Sequence, residues 1–229
     1  MFADSLPMRL HPALLSPLLL AVAGCGAVPD NRAPVRGNPQ AGLPTISQMR
    51  PEARQCQSEL GKSGASFAPL PDKYYGPGCS ALNAVKLDGI GGDNGQFLVT
   101  NLGPLACPAA NTLAGWARFG VDRAARQIMG SPLKRIETMG SYACRNVAGT
   151  GRLSAHARAE AVDVSAFVLA DGRRISVKDG WSASQKERAF LRTVHQSACK
   201  RFGTVLGPDY NAAHHDHLHL EFGGSSYCR

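Results

Sequence analysis

The chain has 229 residues and a formal net charge of +8, with 44% hydrophobic and 18% charged residues. This balance is typical of a folded soluble domain and excludes an intrinsically disordered tail. The lysines and arginines do not cluster with aromatic residues, so we expect no nucleic-acid partner. Gly61-Lys62-Ser63 matches the end of a phosphate-binding loop, but Cys56 stands where such a loop needs a glycine. We therefore expect no nucleotide either.

The first residues have the pattern of an export signal. Met8 and Arg9 form a short basic start, an apolar segment covers residues 13–22, and small residues lead up to Cys25. This resembles the lipobox of bacterial lipoproteins. We therefore predict a lipoprotein signal peptide over residues 1–24 and lipidation of Cys25. The protein would then be lipid-anchored on the periplasmic face of a bacterial membrane, with inner and outer membrane both open.

The segment after this signal differs from the rest of the chain. Residues 25–51 are rich in proline, glycine, asparagine and arginine and show no apolar period, which predicts a flexible tether. A single folded domain would then cover residues 52–229, without internal repeats.

Six cysteines follow Cys25, and this even number is typical of a disulfide-stapled domain in an oxidising compartment. The sequence does not determine their connectivity. Proximity along the chain favours Cys56 with Cys79, stapling of the chain end favours Cys199 with Cys228, and Cys107 then remains for Cys144. Zinc binding by these cysteines is disfavoured, because none of them forms a C-x-x-C pair.

Patterns of apolar residues predict both helices and strands. The glycine-rich residues 76–101 suggest short strands, and a hairpin turn is expected at Asp171-Gly172. The predicted amphipathic helices cover residues 109–129 and 184–202, and the remaining predicted strands cover 136–144, 161–168, 174–177 and 216–222. Without a regular alternation of strand and helix, this order predicts an α+β fold with a mostly antiparallel central sheet flanked by helices.

Two segments carry residues that bind metals. Residues 214–219 contain four of the seven histidines and Asp216, and a second group upstream contains His156 and Asp163. A catalytic zinc takes three protein ligands, commonly histidine and carboxylate, and His156, Asp163 and His219 would fill that role on the face of the sheet. A general base must also take a proton from water. Asp216 and His217 are the candidates; strand alternation puts His217, but not Asp216, on the His219 face unless the strand begins at His217.

The motifs S-x-H-x-x-G-x-A-x-D and H-x-H, matched at residues 154–163 and 217–219, resemble those of zinc peptidases that act on bacterial cell walls. That superfamily groups lysostaphin-type endopeptidases, D-alanyl-D-alanine carboxypeptidases and Hedgehog-like domains. Over residues 52–229 the chain more closely resembles the bacterial extensin-like C-terminal domain family. The residues that carry this resemblance lie at 140–145, 170–173, 202–211 and 214–219.

The resemblance implies an antiparallel sheet that carries Zn²⁺ on His156, Asp163 and His219. Asp216 stands where the carboxypeptidases have a glutamate base, whereas His214 and His217 stand where histidines assist in the endopeptidases. The identity of the base therefore stays open. Ala159 replaces the usual glycine of the first motif, which is tolerated at negative φ but strained in a left-handed turn.

Three further residues are predicted to face the substrate. Arg145 resembles an arginine that grips a substrate carboxylate, Tyr142 lies in the same segment, and Ser154 would bind substrate or orient the ligand loop. The function implied is a zinc-dependent peptidase, an endopeptidase or carboxypeptidase acting on the stem peptides or crosslinks of peptidoglycan. The alternative is a zinc-containing module that binds the cell wall without catalysis.

Overall fold

The fold is α+β and is organised by one ten-stranded sheet. It is described from a computed structural model that covers residues 50–224 and 226–229. The predicted signal peptide, Cys25 and nearly all of the predicted tether lie outside these residues. Within them, no helix has both the length and the apolar character needed to cross a membrane.

Four α-helices and twelve strands make up the described chain. The helices are α1 (Pro51–Lys62), α2 (Cys107–Trp116), α3 (Val177–Gly180) and α4 (Gln185–Cys199). The strands are β1 (Ser66–Pro69), β2 (Lys73–Gly76), β3 (Cys79–Ala81), β4 (Ala84–Gly92), β5 (Gly95–Thr100), β6 (Leu105–Ala106), β7 (Leu133–Gly140), β8 (Ala161–Leu169), β9 (Arg174–Ser176), β10 (Thr204–Leu206), β11 (Leu218–Glu221) and β12 (Tyr227–Cys228).

The large sheet has the strand order β1-β4-β5-β7-β8-β11-β10-β12, with β6 on β4 and β9 on β8, while β2 and β3 form a separate hairpin. The prediction of a mostly antiparallel sheet is wrong, because the sheet is mixed: β5 pairs with β7 in parallel, and so does β10 with β12. A parallel pair needs a long crossover. Residues 107–129 provide a helical crossover between β5 and β7. A single crossover of this kind produces no repeating alternation of strand and helix in the sequence.

The crossover confirms the predicted helix at residues 109–129. Its first part, α2, has a proline in its first turn, and π-helical turns carry it on until Gly130, whose φ of 76° ends it. Its inner face is apolar, and Trp116 is fully buried. The indole Nε1 of Trp116 donates to the carbonyl of Val194 at 3.1 Å, which joins the crossover to α4.

The second predicted helix and the predicted hairpin are also present. Ser184 caps α4, since its side chain accepts a hydrogen bond from the backbone of Glu187. β9 follows the turn at Asp171-Gly172 and pairs with β8. β8 lies between β7 and β11 in the sheet and is buried along nearly all of its length. This central strand carries Asp163.

All six cysteines of the domain form disulfides, which confirms the predicted stapling. Cys199–Cys228 agrees with the prediction, but Cys56–Cys79 and Cys107–Cys144 are wrong: the pairs are Cys56–Cys107 and Cys79–Cys144. Helix α1 packs on α2 and brings together two cysteines that are 51 residues apart. The pairing predicted from proximity along the chain is wrong because helix packing, rather than loop length, determines which thiols meet.

Candidate metal centre

The three predicted metal ligands meet at the centre of the sheet. Asp163 on β8 and His219 on β11 are register partners in an antiparallel pair. His156 comes from a 3₁₀ turn, Ala155–Arg158, that directly precedes β8. All three residues are buried, and their donor atoms lie within 4.8 Å of one another.

The separations between these donor atoms fit a tetrahedral metal. Nδ1 of His219 lies 2.9 Å from Oδ1 of Asp163, and Nε2 of His156 lies 3.1 Å from Oδ2 of Asp163. The two ring nitrogens are 3.3 Å apart. Donors bound to zinc at about 2.0–2.1 Å in a tetrahedron lie about 3.3–3.4 Å from each other. Only small side-chain movements would therefore be needed to admit the ion.

The outer nitrogen of each ring faces an acceptor. His156 places Nδ1 3.0 Å from the carbonyl oxygen of Ser141, and His219 places Nε2 3.7 Å from Oε2 of Glu221. A proton on these outer nitrogens leaves Nε2 of His156 and Nδ1 of His219 with free lone pairs. In metal-ligating histidines the second nitrogen donates to a carbonyl or carboxylate, as His156 does here, whereas the contact of His219 with Glu221 is longer than a hydrogen bond.

The charges of the cluster are tightly coupled. Burial raises the pKa of Asp163, but hydrogen bonds from His156 and His219 outweigh it and hold that pKa well below its usual range. Burial lowers the pKa of His219, yet contacts with Asp163 and Glu221 raise it overall to about 9. Without a metal, the cluster therefore holds an ionised aspartate and a cationic His219, so an incoming cation would displace that proton.

Asp216 and His217 form a pair beside the three ligands. The predicted strand 216–222 is wrong at both ends, because β11 covers only Leu218–Glu221 and Asp216 lies in the preceding turn. Nδ1 of His217 lies 2.8 Å from Oδ1 of Asp216, and its Nε2 lies 3.6 Å from Oδ1 of Asp163. His217 is thus directed at the ligand cluster with its outer nitrogen held by a carboxylate.

His214 lies in a 3₁₀ turn at Ala212–His214, beside the ring of His217. Its Nδ1 is 2.7 Å from Oδ1 of Asn211, and its ring centroid is 5.2 Å from that of His217. Burial and the neighbouring histidines lower the pKa of His214 to about 4, which keeps this ring neutral. His215 is largely exposed and does not join the cluster.

Ala159 adopts the conformation that favours glycine. Its φ is 56°, in the left-handed region, and its backbone nitrogen donates to the carbonyl of His156 to close the turn. The predicted tolerance of alanine at negative φ therefore does not apply, and the position is strained. The methyl group is fully buried against Ala81 and Ala84.

A cleft of about 700 Å³ opens beside the cluster, and its lining includes His214, His217, His219 and Glu221. Arg145 and Ser154 also line it, and they are held together by a hydrogen bond from the Ser154 backbone nitrogen to the Arg145 carbonyl. The Ser154 hydroxyl accepts from the backbone nitrogen of His156 at 3.4 Å. Whether Ser154 binds substrate or orients the ligand loop stays a prediction.

Tyr142 is not among the residues that line this cleft. It packs against the cluster of Ala81, Ala84 and Ala159, and its ring lies 4.5 Å from that of Tyr75. The structure thus does not bring Tyr142 to the other predicted substrate-binding residues.

Several residues of the cleft were not singled out from the sequence: Arg152, Tyr210, Tyr227 and Glu221. Glu221 could have been found, because strand alternation puts it on the same face as His219. The other three come from loops or from β12, for which no sequence period exists. A second group of His195, Cys199 and Cys228 also lies within ligand distance, but its two sulfurs are joined in a disulfide and are not thiolate ligands.

The fold and this centre define the class of the protein: a disulfide-stapled α+β domain with a buried His-Asp-His group at the edge of a cleft. The particular family follows from comparison with known proteins. The family model described as "Extensin-like protein C-terminus" matches residues 54–229, and the chain belongs to this family. Searches of curated proteins and of solved structures found no significant match.

Proposed function

We propose that this protein is a zinc-dependent peptidase that hydrolyses amide bonds in the stem peptides or crosslinks of peptidoglycan. The observation that carries the proposal is the group of three buried donors, 2.9–3.3 Å apart, with the His217–Asp216 pair beside it in one cleft. The resemblance of its two motifs to those of cell-wall zinc peptidases supports the choice of substrate.

His156, Asp163 and His219 would hold the ion. When bound, zinc would polarise the scissile carbonyl and lower the pKa of water to about 7. The protein must still move the proton. Nε2 of His217 carries the free lone pair if Nδ1 donates to Asp216, so His217 would take the proton from water and pass it to the leaving amine.

Asp216 would then act through His217 and not as the base itself. Its hydrogen bond lowers its own pKa, so it stays ionised and fixes the tautomer of the ring. The short aspartate at this position, in place of the glutamate base of the carboxypeptidases, fits this arrangement. The two histidines His214 and His217 favour the endopeptidase type, in which the neutral His214 would assist from the loop while its Nδ1 donates to Oδ1 of Asn211.

Arg145 would bind a carboxylate of the substrate. It lines the cleft, and the disulfide between the adjacent Cys144 and Cys79 joins its segment to β3. A guanidinium binds a carboxylate through two parallel hydrogen bonds, which suits a stem peptide with free carboxyl groups. The lipobox at Cys25 supports a lipid-anchored location on the periplasmic side, where this substrate lies.

The test has two parts. Metal analysis of the purified protein should find one zinc per chain, and the Asp163→Asn variant should lose it. Incubation with purified sacculi, followed by mass spectrometry of the soluble muropeptides, should reveal cleaved amide bonds with the native protein and none with His217→Ala. His215→Ala, which changes an exposed histidine of the same segment, is the matched control and should retain activity.

Absence of stoichiometric zinc would overturn the metal site. Zinc binding together with binding to sacculi, but without any released product, would instead favour the alternative of a wall-binding module.

A further inference from the structure

Glu221 lies two residues after His219 on β11 and belongs to neither ligand motif. Its side chain is 22% exposed and lines the cleft. Its Oε2 atom lies 3.7 Å from Nε2 of His219, the nitrogen opposite the one that faces Asp163. The ring of His219 is thus placed between two carboxylates, one on each nitrogen.

The backbone around Glu221 is fixed on both sides. In the sheet it pairs with Ala161 on β8 and with Thr204 on β10. Its carbonyl also accepts a hydrogen bond from the backbone nitrogen of Gly203. Because this backbone is fixed, only the side-chain torsions of Glu221 must be ordered when its carboxylate binds the ring.

The carboxylate has few competing partners. Arg158 is near enough to help lower the pKa of Glu221, but it forms its salt bridge with Glu160 at 2.8 Å. Arg152 lines the same cleft, yet the salt bridge of Glu221 within the described part of the chain is with His219. The geometry therefore directs the carboxylate of Glu221 at a metal ligand rather than at a surface cation.

We propose that Glu221 is a positioning residue for the metal: once its carboxylate closes the 3.7 Å separation to hydrogen-bond distance, it accepts the Nε2 proton of His219 and so presents the Nδ1 lone pair to the ion. This inference rests on the proposed zinc site and deepens it. Histidine ligands generally need such an outer partner, because the imidazole otherwise exchanges tautomers and rotates. His156 obtains the same help from the Ser141 carbonyl, whereas His219 depends on a side chain that can be changed.

The zinc affinity of the purified full-length protein tests the proposal, with a chromophoric chelator as the competitor. Glu221→Ala should weaken zinc binding by about 10- to 100-fold, the usual effect of losing an outer partner. Glu221→Gln keeps an acceptor oxygen for Nε2 and should recover part of this affinity. Glu137→Gln, which removes a carboxylate from β7 that is paired with arginines, is the matched control and should leave zinc affinity unchanged.

Cobalt substitution provides a second readout. The visible spectrum of the Co²⁺ form reports the ligand geometry, so Glu221→Ala should alter it and Glu221→Gln should alter it less. Circular dichroism of the metal-free variants checks that each is folded. If Glu221→Ala is unfolded, Glu221→Gln alone tests the proposal. Weaker zinc binding and an altered cobalt spectrum support it, whereas native values contradict it.

The zinc site and the role of Glu221 can be refuted separately. A native protein that binds no zinc overturns the proposed function and this inference with it. A native protein that binds zinc, with the same affinity and cobalt spectrum in both Glu221 variants, overturns only the role of Glu221.

Discussion

Nδ1 of His217 lies 2.8 Å from Oδ1 of Asp216, and this contact distinguishes the two candidates for the general base. An aspartate that binds the outer nitrogen of a histidine fixes the tautomer whose inner nitrogen can accept a proton. Since Nε2 of His217 points at the ligand cluster, 3.6 Å from Oδ1 of Asp163, this geometry favours our proposal that His217 is the base and Asp216 its partner.

We expect His217→Ala to lower kcat for muropeptide hydrolysis by about 10²- to 10⁴-fold, as loss of general base catalysis does. Asp216→Asn should cost less, about 10- to 100-fold, because the ring remains but its tautomer is no longer fixed. Zinc content should stay at the native level in both. A larger effect from Asp216→Asn than from His217→Ala would reverse the two roles.

Arg145→Lys should raise KM for peptide substrates with a free carboxylate by about 10- to 100-fold, with a smaller change in kcat. Lysine keeps the charge but loses the bidentate geometry, and one charge-assisted hydrogen bond contributes about 1.5–3 kcal/mol. Steady-state kinetics on defined muropeptides measures the effect. Arg188→Lys, which changes an exposed arginine on α4 away from the cleft, should behave like the native protein.

Ala159→Val should destabilise the domain by about 2–4 kcal/mol, because a β-branched residue is strained in a left-handed conformation and overpacks this buried position. Ala159→Gly should stay within about 1 kcal/mol of the native protein. It relieves the backbone strain but loses a buried methyl group and gains chain entropy on unfolding. Urea unfolding measures both, and a neutral Ala159→Val would contradict the left-handed turn.

Peptide mapping of the non-reduced protein should identify Cys56–Cys107, Cys79–Cys144 and Cys199–Cys228. Replacing Cys79 and Cys144 together by serine should cost about 4 kcal/mol, the loop-closure value for the 65 residues between them. Because Cys144 adjoins Arg145, this variant should also bind substrate more weakly. A peptide that joins Cys56 to Cys79 would refute the pairing.

Glu137 should make the stability of the domain depend on acidic pH. Burial raises its pKa, but hydrogen bonds from Arg135 and Arg174 lower it below its ordinary value of 4.5. A lowered pKa means that the carboxylate stabilises the fold above about pH 4.5 and that this contribution is lost as the pH falls further. The difference in unfolding free energy between native protein and Glu137→Gln should therefore be larger at pH 7 than at pH 3. An equal difference at both would contradict it.

Features that depend on neighbours along the chain could be predicted from the amino-acid sequence. The helix at 109–129 and the hairpin at Asp171-Gly172 follow from local periodicity and turn chemistry, which act within a few residues. The ligand candidates His156, Asp163 and His219 followed from motif spacing, and the family from the order of the motifs. The sequence also predicted that Ala159 would be strained if its turn were left-handed.

Features that long-range packing controls could not be predicted in this way. The disulfide partner of Cys56 depends on how α1 packs on α2, and the parallel pairing of β5 and β7 depends on the helical crossover between them. The start of β11 at Leu218 is set by its partner β8, and it puts Asp216 in a turn beside His217 instead of on the opposite face of a strand. These contacts join residues far apart in the chain, or depend on where pairing begins, so no local pattern encodes them.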